Sequence, residues 1–218
     1  KDDHHILEER LFTTFEDWRI SGQIDLQEIQ ADGSVIISDY KVTSAWAVQQ
    51  EKTEWVDQLN LYAWLVERVK SVPVSGLKII GIVRDWSRRE AALKDTYPQA
   101  PIVTLDIPIW SYSDRESFVT ARLGMHNEAN FAAVSGQMPE CTPEEMWEKK
   151  TTYAVMKEGG KRAKSVHNTR EEAESVLPAK GYFIEHRKGE RTRCQSFCQV
   201  SDYCEQYQQY LATQPKEA

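Results

Sequence analysis

The sequence has no run of about 18 or more apolar residues, the length that a helix needs to cross a bilayer. Its first residues, KDDHHILEER, also lack the apolar stretch of a secretory signal peptide. These absences argue against a membrane-spanning protein. We therefore expect a soluble, cytoplasmic protein that has no membrane partner.

Basic residues are not in surplus either, since the 218 residues carry a formal net charge of -7. That balance disfavours a protein that binds nucleic acid over a general basic surface. Positive charge is concentrated instead in residues 149–170, which hold seven basic residues and one acidic residue, a net charge of +6. Such a run is typical of a solvated, flexible loop, and a local contact with nucleic acid is the alternative. The basic residues are Lys149, Lys150, Lys157, Lys161, Arg162, Lys164 and Arg170.

The chain is long enough for one well-packed domain with an appendage. Apolar residues alternate or run continuously in five segments, which predicts strands, and they recur every three or four residues in two others, which predicts helices. The predicted strands are 6–15, 18–29, 35–42, 77–86 and 101–110, and the predicted helices are 51–70 and 113–134. This order predicts the α/β class, a central mixed sheet flanked by helices.

The C-terminal part differs in character. A capping box, Thr142 to Glu145, predicts that a helix begins there, and a second, Thr169 to Glu172, predicts a short helix. Between them, a hairpin is expected to turn at Gly159–Gly160. The sequence therefore predicts a small α+β insert at about residues 150–190. We expect a core at 1–137, a C-terminal segment at 138–211 that encloses the insert, and a polar tail at 212–218.

Two carboxylates and a lysine form the candidate catalytic group. Asp25 and Asp39 are expected at or near the ends of adjacent strands, and Lys41 follows Asp39 on the same strand face. Carboxylate oxygens suit Mg²⁺ or Mn²⁺, which can activate water and stabilise a phosphodiester under attack. A neighbouring ammonium can offset the developing charge. The competing interpretation is a solvated Asp–Lys pair at a sheet edge.

Three short motifs in order make this group specific: GQID at 22–25, DYK at 39–41 and QLNLY at 58–62. The series resembles the GxxD, DxK and QxxxY motifs of the RecB-like branch of the PD-(D/E)XK nuclease superfamily. The resemblance implies a restriction-endonuclease-like core with Asp25, Asp39 and the main-chain carbonyl of Tyr40 as metal ligands. It also implies that Lys41 is the catalytic lysine and that Gln58 and Tyr62 support the site or contact DNA.

The sequence departs from that series in one respect. RecB-like enzymes usually have a further His or Glu ligand on an upstream helix, and no such helix is predicted before Asp25. The chain begins without methionine and enters strand-like sequence at once. We expect the upstream helix to precede residue 1, and the missing ligand is assigned to none of the nearby residues His4, His5, Glu8 and Glu9.

All four cysteines lie in the C-terminal part: Cys141, Cys194, Cys198 and Cys204. Such clustering in a reducing compartment indicates metal binding rather than disulfides. It resembles the clasp of iron-sulfur nucleases in the RecB-like branch, although the triplet here is C-x3-C-x5-C and the usual form is closer to C-x2-C-x5-C. The resemblance implies a [4Fe-4S] cluster, with Zn²⁺ as the alternative and free structural thiols as a third reading.

Closing this clasp would enclose the insert and present its basic residues to DNA, with Lys157, Lys161, Arg162 and Lys164 as candidate contacts. The resemblance implies an exonuclease that processes DNA ends in recombination, repair or phage replication, in a bacterial or phage-infected host cell. A helicase or recombination protein is the expected protein partner. The alternatives are a noncatalytic DNA-binding module, a structural subunit that holds a helicase, and a sequence-specific endonuclease.

Overall fold

The chain forms two compact units, residues 1–135 and 136–218, here called the N-terminal and C-terminal units. The structure is a computed structural model, and it describes residues 4–50, 52–135 and 139–214. Within these ranges, no helix is both long enough and apolar enough to cross a membrane.

The described residues of the N-terminal unit form five strands and three α-helices, and a short 3-10 turn spans Ala47–Gln49. The elements are β1 (His5–Phe15), β2 (Trp18–Ile29), β3 (Val35–Thr43), α1 (Thr53–Lys70), β4 (Val74–Val83), α2 (Arg88–Leu93), β5 (Ile102–Ile107) and α3 (Tyr112–Ser135). The five strands form one sheet in the order β1-β2-β3-β4-β5. β3 and β4 are parallel, and the other neighbours are antiparallel. The predicted α/β class and mixed sheet are confirmed.

One face of this sheet and the helices α1 and α3 enclose the hydrophobic core. Trp64 and Leu59 of α1 and Ile24 and Ile37 of the sheet are all fully buried. Burying each such side chain contributes about 1.5–3 kcal/mol relative to exposure. α1 connects the parallel strands β3 and β4 as a crossover helix, so its position over the sheet is fixed at both ends.

The beginning of β4 and the helix α2 differ from the predictions. β4 begins at Val74 rather than residue 77, because its first residue already pairs with Val35 of β3. Ser71, with φ of 57°, ends α1 in the left-handed conformation, and only Val72 and Pro73 separate it from β4. α2 was not predicted, although Ser87 caps it by accepting a hydrogen bond from the Glu90 amide.

Between residues 139 and 214, the part of the C-terminal unit that the structure describes, there are five short strands and three α-helices, with a 3-10 turn at Ser201–Tyr203. The elements are β6 (Glu148–Lys149), β7 (Thr152–Lys157), β8 (Ala163–His167), α4 (Arg170–Ser175), β9 (Tyr182–Arg187), β10 (Glu190–Arg191), α5 (Thr192–Ser196) and α6 (Glu205–Thr213). β7, β8 and β9 form an antiparallel sheet in the order β8-β7-β9. The predicted hairpin, short helix and returning strand are present. β6 pairs with β10 and closes the base of this insert.

The predicted helix at Thr142 is wrong. Its capping box does form, since the Glu145 amide donates to Thr142 Oγ1 over 3.2 Å and the Thr142 amide donates to Glu145 Oε2 over 3.0 Å. The chain then leaves the turn at Trp147, whose φ is 51°, and enters β6. Pairing of β6 with β10, a long-range interaction, outweighs the local preference. α6 extends to Thr213, two residues into the segment that we predicted as a polar tail.

Candidate active site and cysteine cluster

The two predicted carboxylates lie where the ladder between β2 and β3 stops. The last backbone pair is Leu26 with Ser38, and Asp25 and Asp39 are the next residues along each strand. Both lie inside their strands, whereas we expected them at or near the strand ends. Asp25 takes the place of the next ladder bond, since its Oδ2 accepts a hydrogen bond of 2.9 Å from the Tyr40 amide.

β2 has an irregularity at Asp25. Ile24 belongs to the core beneath α1, and Gln27 accepts a 3.0 Å hydrogen bond from Lys70 at the end of α1. Regular alternation would place residues 24 and 27 on opposite faces. Alternation is therefore interrupted between them, opposite Glu8 of β1, whose φ is 51°, although the register between β1 and β2 does not shift. The interruption lies at Asp25, whose carboxylate accepts the hydrogen bond from the Tyr40 amide of β3.

Asp39 is a buried carboxylate beside a cation. Its side chain is 4% exposed, and Lys41 Nζ lies 2.7 Å from its Oδ2 atom. Burial raises the pKa of Asp39, the hydrogen bond and charge of Lys41 lower it, and the charge of Asp25 raises it, with a net increase. Two carboxylates thus repel each other in a poorly solvated site, a situation that a bound cation relieves.

A hydrogen-bonded chain extends from Lys41 to α1. Lys41 Nζ donates to Gln58 Oε1 over 2.9 Å, and Gln58 Nε2 donates to the Tyr62 hydroxyl over 2.9 Å. The Tyr62 ring lies against Gly22, where an added Cβ would be 3.0 Å from Tyr62 Cε1. The glycine of the GQID motif therefore makes room for the ring that orients Gln58. This packing role of Gly22 was not predicted from the sequence.

Asp25, Asp39 and the Tyr40 carbonyl suit a hard divalent cation. Asp39 Oδ2 is buried, and the Lys41 ammonium, 2.7 Å away, is its described contact. A divalent cation would give that oxygen a second positive partner. Among the described residues, no three His, Cys, Asp or Glu side chains are grouped to hold a metal. Mg²⁺ is commonly held by one or two carboxylates, with water and substrate phosphate as the other ligands.

Of the upstream acidic residues, Glu9 is already engaged. It forms an ion pair with Lys70, and Gln27 Nε2 donates to its Oε2 over 2.7 Å. Glu8 accepts a 2.7 Å hydrogen bond from Gln23. These contacts agree with leaving the upstream ligand unassigned among residues 4–9.

A buried amide that was not among the predicted site residues fixes the loop beyond β5. Asn60 of α1 is fully buried, and its Nδ2 donates 2.9 Å hydrogen bonds to the carbonyls of Val56 and Pro108. Its Oδ1 accepts from the Trp110 amide over 2.8 Å. The signal was a polar residue two positions after Gln58 in an otherwise apolar stretch of the helix.

The predicted DNA contacts of the insert are exposed. Lys157 ends β7, Lys161 and Arg162 lie in the hairpin turn, and Lys164 lies in β8. None of these four has an ion-pair partner within the described ranges. Two other basic residues are paired, Lys149 with Glu190 at 2.6 Å and Arg170 with Glu174 at 2.9 Å. The positive charge is therefore concentrated at the β7–β8 end of the insert.

The four cysteines are free thiols that come within electrostatic range of one another. Burial raises the pKa of the Cys194 thiol, and the charges of Cys141, Cys198 and Cys204 raise it further. Burial, Glu145, Cys204 and Cys198 likewise raise the pKa of Cys141. The four thiols therefore lie near enough to affect one another's ionisation, although no three of these described side chains are grouped here to hold a metal.

A glutamine holds the distant cysteine beside the other three. Gln206 of α6 accepts a 3.0 Å hydrogen bond from the Cys141 amide and donates a 2.9 Å hydrogen bond to the Cys141 carbonyl. Gly189 is also required nearby, because a Cβ there would lie 2.5 Å from the Lys149 carbonyl oxygen. The two ends of the insert thus approach at backbone contact distance.

Comparison with known proteins identifies the family. A family model described as the PD-(D/E)XK nuclease superfamily matches residues 2–205. No curated protein matches the chain. A solved structure described as "Crystal structure of SSO0001" matches with a TM-score of 0.40 and 14% identity, covering 67% of this chain, and this chain spans 57% of that one. The mixed sheet flanked by helices is consistent with the restriction-endonuclease-like core of this family. The chain therefore belongs to the PD-(D/E)XK nuclease superfamily.

Proposed function

We propose that this chain is a metal-dependent DNA exonuclease of the RecB-like branch, which processes DNA ends in recombination, repair or phage replication. The observation that carries the proposal is the convergence of Asp25, Asp39, Lys41 and Gln58 at the end of the β2–β3 ladder. DNA is the substrate, and a helicase or recombination protein is the expected partner.

Each residue of the candidate site would have a separate role in phosphodiester hydrolysis. Asp25, Asp39 and the Tyr40 carbonyl would hold Mg²⁺ or Mn²⁺, which supplies charge neutralisation to the phosphodiester and lowers the pKa of the attacking water. Lys41 has three ammonium protons. Gln58 and Asp39 engage two of them, so the third can contact the attacking water or a phosphate oxygen. Tyr62 fixes the amide of Gln58 and thereby the position of Lys41.

We propose further that residues 138–211 form a clasp in which Cys141, Cys194, Cys198 and Cys204 hold a [4Fe-4S] cluster, with Zn²⁺ as the alternative. Thiolate ligands permit both. The raised pKa of Cys141 and Cys194 predicts that loading is favoured as pH rises, because the ligands must lose their protons. Brown protein after anaerobic purification supports iron, and colourless protein with stoichiometric zinc contradicts it.

The test of the nuclease proposal is degradation of end-labelled linear and closed circular DNA with Mg²⁺ or Mn²⁺. The wild-type chain is compared with Lys41→Ala and with a matched control, Lys78→Ala, on the neighbouring strand β4. We expect metal-dependent loss of linear DNA, at least about a hundredfold slower in Lys41→Ala and unchanged in the control.

Other outcomes separate the remaining candidates. Cleavage of the closed circle would make the protein an endonuclease. DNA binding without cleavage by the wild-type chain would favour a noncatalytic DNA-binding descendant. Neither binding nor cleavage would favour a structural subunit.

A further inference from the structure

The insert contains a cavity of about 270 Å³ on one face of its three-stranded sheet. Tyr153 of β7, Ile184 and His186 of β9, and Arg170 of α4 line it. Tyr153 and His186 are cross-strand partners, and their ring centroids are 5.2 Å apart with planes inclined by 34°. The cavity therefore has two aromatic rings on the sheet side and a guanidinium group on the helix side.

Cations and a further aromatic ring extend the same sheet face. Lys157 lies four residues beyond Tyr153 on β7, so alternation places both on one face. Its cross-strand partner is Tyr182, and cross-strand partners share a face. Lys164 Nζ lies 5.2 Å from the centroid of the Tyr182 ring. Two rings thus lie at the cavity end of this face, and Lys157, Tyr182 and Lys164 lie toward the hairpin turn, with the Val155–Ile184 pair between them.

The guanidinium of Arg170 has donor groups that the described contacts do not use. Its side chain is 69% exposed, and its Nε atom alone pairs with Glu174. Neither of its Nη atoms has a hydrogen bond to any residue that the structure describes. A planar guanidinium with open Nη groups suits a phosphate oxygen. Lys157 and Lys164 are also exposed.

We propose that this face binds single-stranded DNA, with an unpaired base stacked against Tyr153 and His186 in the cavity and the adjoining phosphates bound by Arg170 and Lys157. The inference rests on the proposed function and names the form of DNA that the insert recognises. An unpaired base exposes its aromatic face, whereas bases inside a duplex stack on each other. Aromatic side chains beside cations are the usual means of holding such strands.

The test compares binding of two DNAs, a single-stranded oligonucleotide that contains 2-aminopurine and a blunt duplex. EDTA is present so that no cleavage occurs. Anisotropy gives Kd, and quenching of 2-aminopurine reports stacking. Tyr153→Leu is compared with Phe183→Leu, which removes a ring that is 44% exposed and pairs with Met156 rather than with a cavity residue. We expect about tenfold weaker single-strand binding and lost quenching for Tyr153→Leu alone.

A second pair of variants tests the phosphate contact. Arg170→Gln and Arg187→Gln each remove one charge from an arginine that pairs with a neighbouring glutamate. We expect Arg170→Gln to reduce the magnitude of the slope of log K against log salt concentration, measured for single-strand binding, by about 0.7. Arg187→Gln should leave that slope unchanged.

Three results would overturn the site: equal binding by Tyr153→Leu and Phe183→Leu, equal affinity of the wild-type chain for duplex and single strand, or quenching that survives in Tyr153→Leu. If circular dichroism shows that Tyr153→Leu unfolds the insert, His186→Ala, at an exposed ring, carries the same expectation. If the protein cleaves DNA in Mg²⁺ and Tyr153→Leu changes neither binding nor cleavage, the proposed single-strand site is wrong and the nuclease proposal stands. If binding depends on Tyr153 but no cleavage occurs, the single-strand site stands and the nuclease proposal is wrong.

Discussion

The two units of this protein are stabilised by different means. The N-terminal unit buries a continuous cluster that includes Trp64, Leu59 and Ile24. Within the described part of the C-terminal unit, the buried hydrophobic residues are few and small or flexible: Met146, Ala154, Val155, Met156 and Ala173. Besides that small core, the unit has paired strands, contacts made by arginine side chains, and the four neighbouring cysteines. A short segment with little apolar burial commonly needs a metal or another cross-link to fold stably.

Arginine contacts show how polar that unit is. Arg191 forms an ion pair with Glu148 at 3.1 Å and lies 4.4 Å from the ring centroid of Tyr210. Arg193 donates to the Glu145 carbonyl over 3.1 Å. Such contacts contribute about 1 kcal/mol each or less where they are exposed. We therefore expect the C-terminal unit to depend on its proposed cysteine site for stability, and the N-terminal unit to depend on its buried core.

Loss of a cysteine ligand should have the largest effect. Cys194→Ser should make the C-terminal unit open to proteolysis while the N-terminal unit stays resistant, because metal binding by such sites contributes directly to folding. Limited proteolysis with mass spectrometry measures both units. Ser196→Ala on the same helix is the control, and equal digestion of the two variants would contradict the dependence on cysteine.

Truncation of the core should rank second. Trp64→Ala should lower the free energy of unfolding of the N-terminal unit by about 3–5 kcal/mol, since the ring is fully buried. Trp147→Ala, at a ring that is 49% exposed, should cost the C-terminal unit about 1 kcal/mol or less. Urea unfolding measures both changes. If the two substitutions lowered the free energy of unfolding by similar amounts, the two units would not differ in how they are stabilised.

The clamp on Cys141 should have a smaller effect. Gln206→Ala removes two hydrogen bonds to the Cys141 backbone and should cost about 1–2 kcal/mol, seen as faster hydrogen exchange of the Cys141 amide. Gln209→Ala on the same helix loses one exposed contact with Glu205 and serves as the control. Unchanged exchange in Gln206→Ala would show that other contacts hold Cys141.

The pH dependence of the N-terminal unit should show the smallest effect. Burial acts to raise the pKa of Glu9, but Lys70 and Gln27 lower it more, so its folded pKa lies below the unfolded value of about 4.3. Glu9 therefore adds stability above that value, and this contribution is lost as pH falls through the folded pKa. Glu9→Gln should lose less stability than the wild-type chain on acidification in urea titrations. An equal loss would exclude the contribution.

Prediction from sequence succeeded where local pattern and packing agree. The alternation in β1 to β3 and the three-to-four residue spacing in α1 gave the right elements because each buries one face on the same core. Prediction failed where strand pairing between distant residues determined the local structure. The helix at Thr142 is absent because β6 pairs with β10, about 40 residues later.

The candidate site was predicted in residue type but not in geometry. The motif spacing indicated which strands bring Asp25, Asp39 and Lys41 together. Alternation is interrupted at Asp25, opposite Glu8 with φ of 51°, so the contact of Asp25 with β3 could not be predicted from a period of two. Nor could spacing show that Gly22 makes room for Tyr62, which depends on how α1 packs across β2.

Paired measurement of Mn²⁺ binding and DNA cleavage on Asp39→Asn tests the central claim most directly. Asp106→Asn, at an exposed acid on β5 of the same sheet, is the matched control. We predict that Asp39→Asn loses Mn²⁺ binding in electron paramagnetic resonance and cleaves at least about a hundredfold more slowly, whereas the control behaves as the wild-type chain. Wild-type cleavage by Asp39→Asn would contradict a catalytic metal site at the end of the β2–β3 ladder.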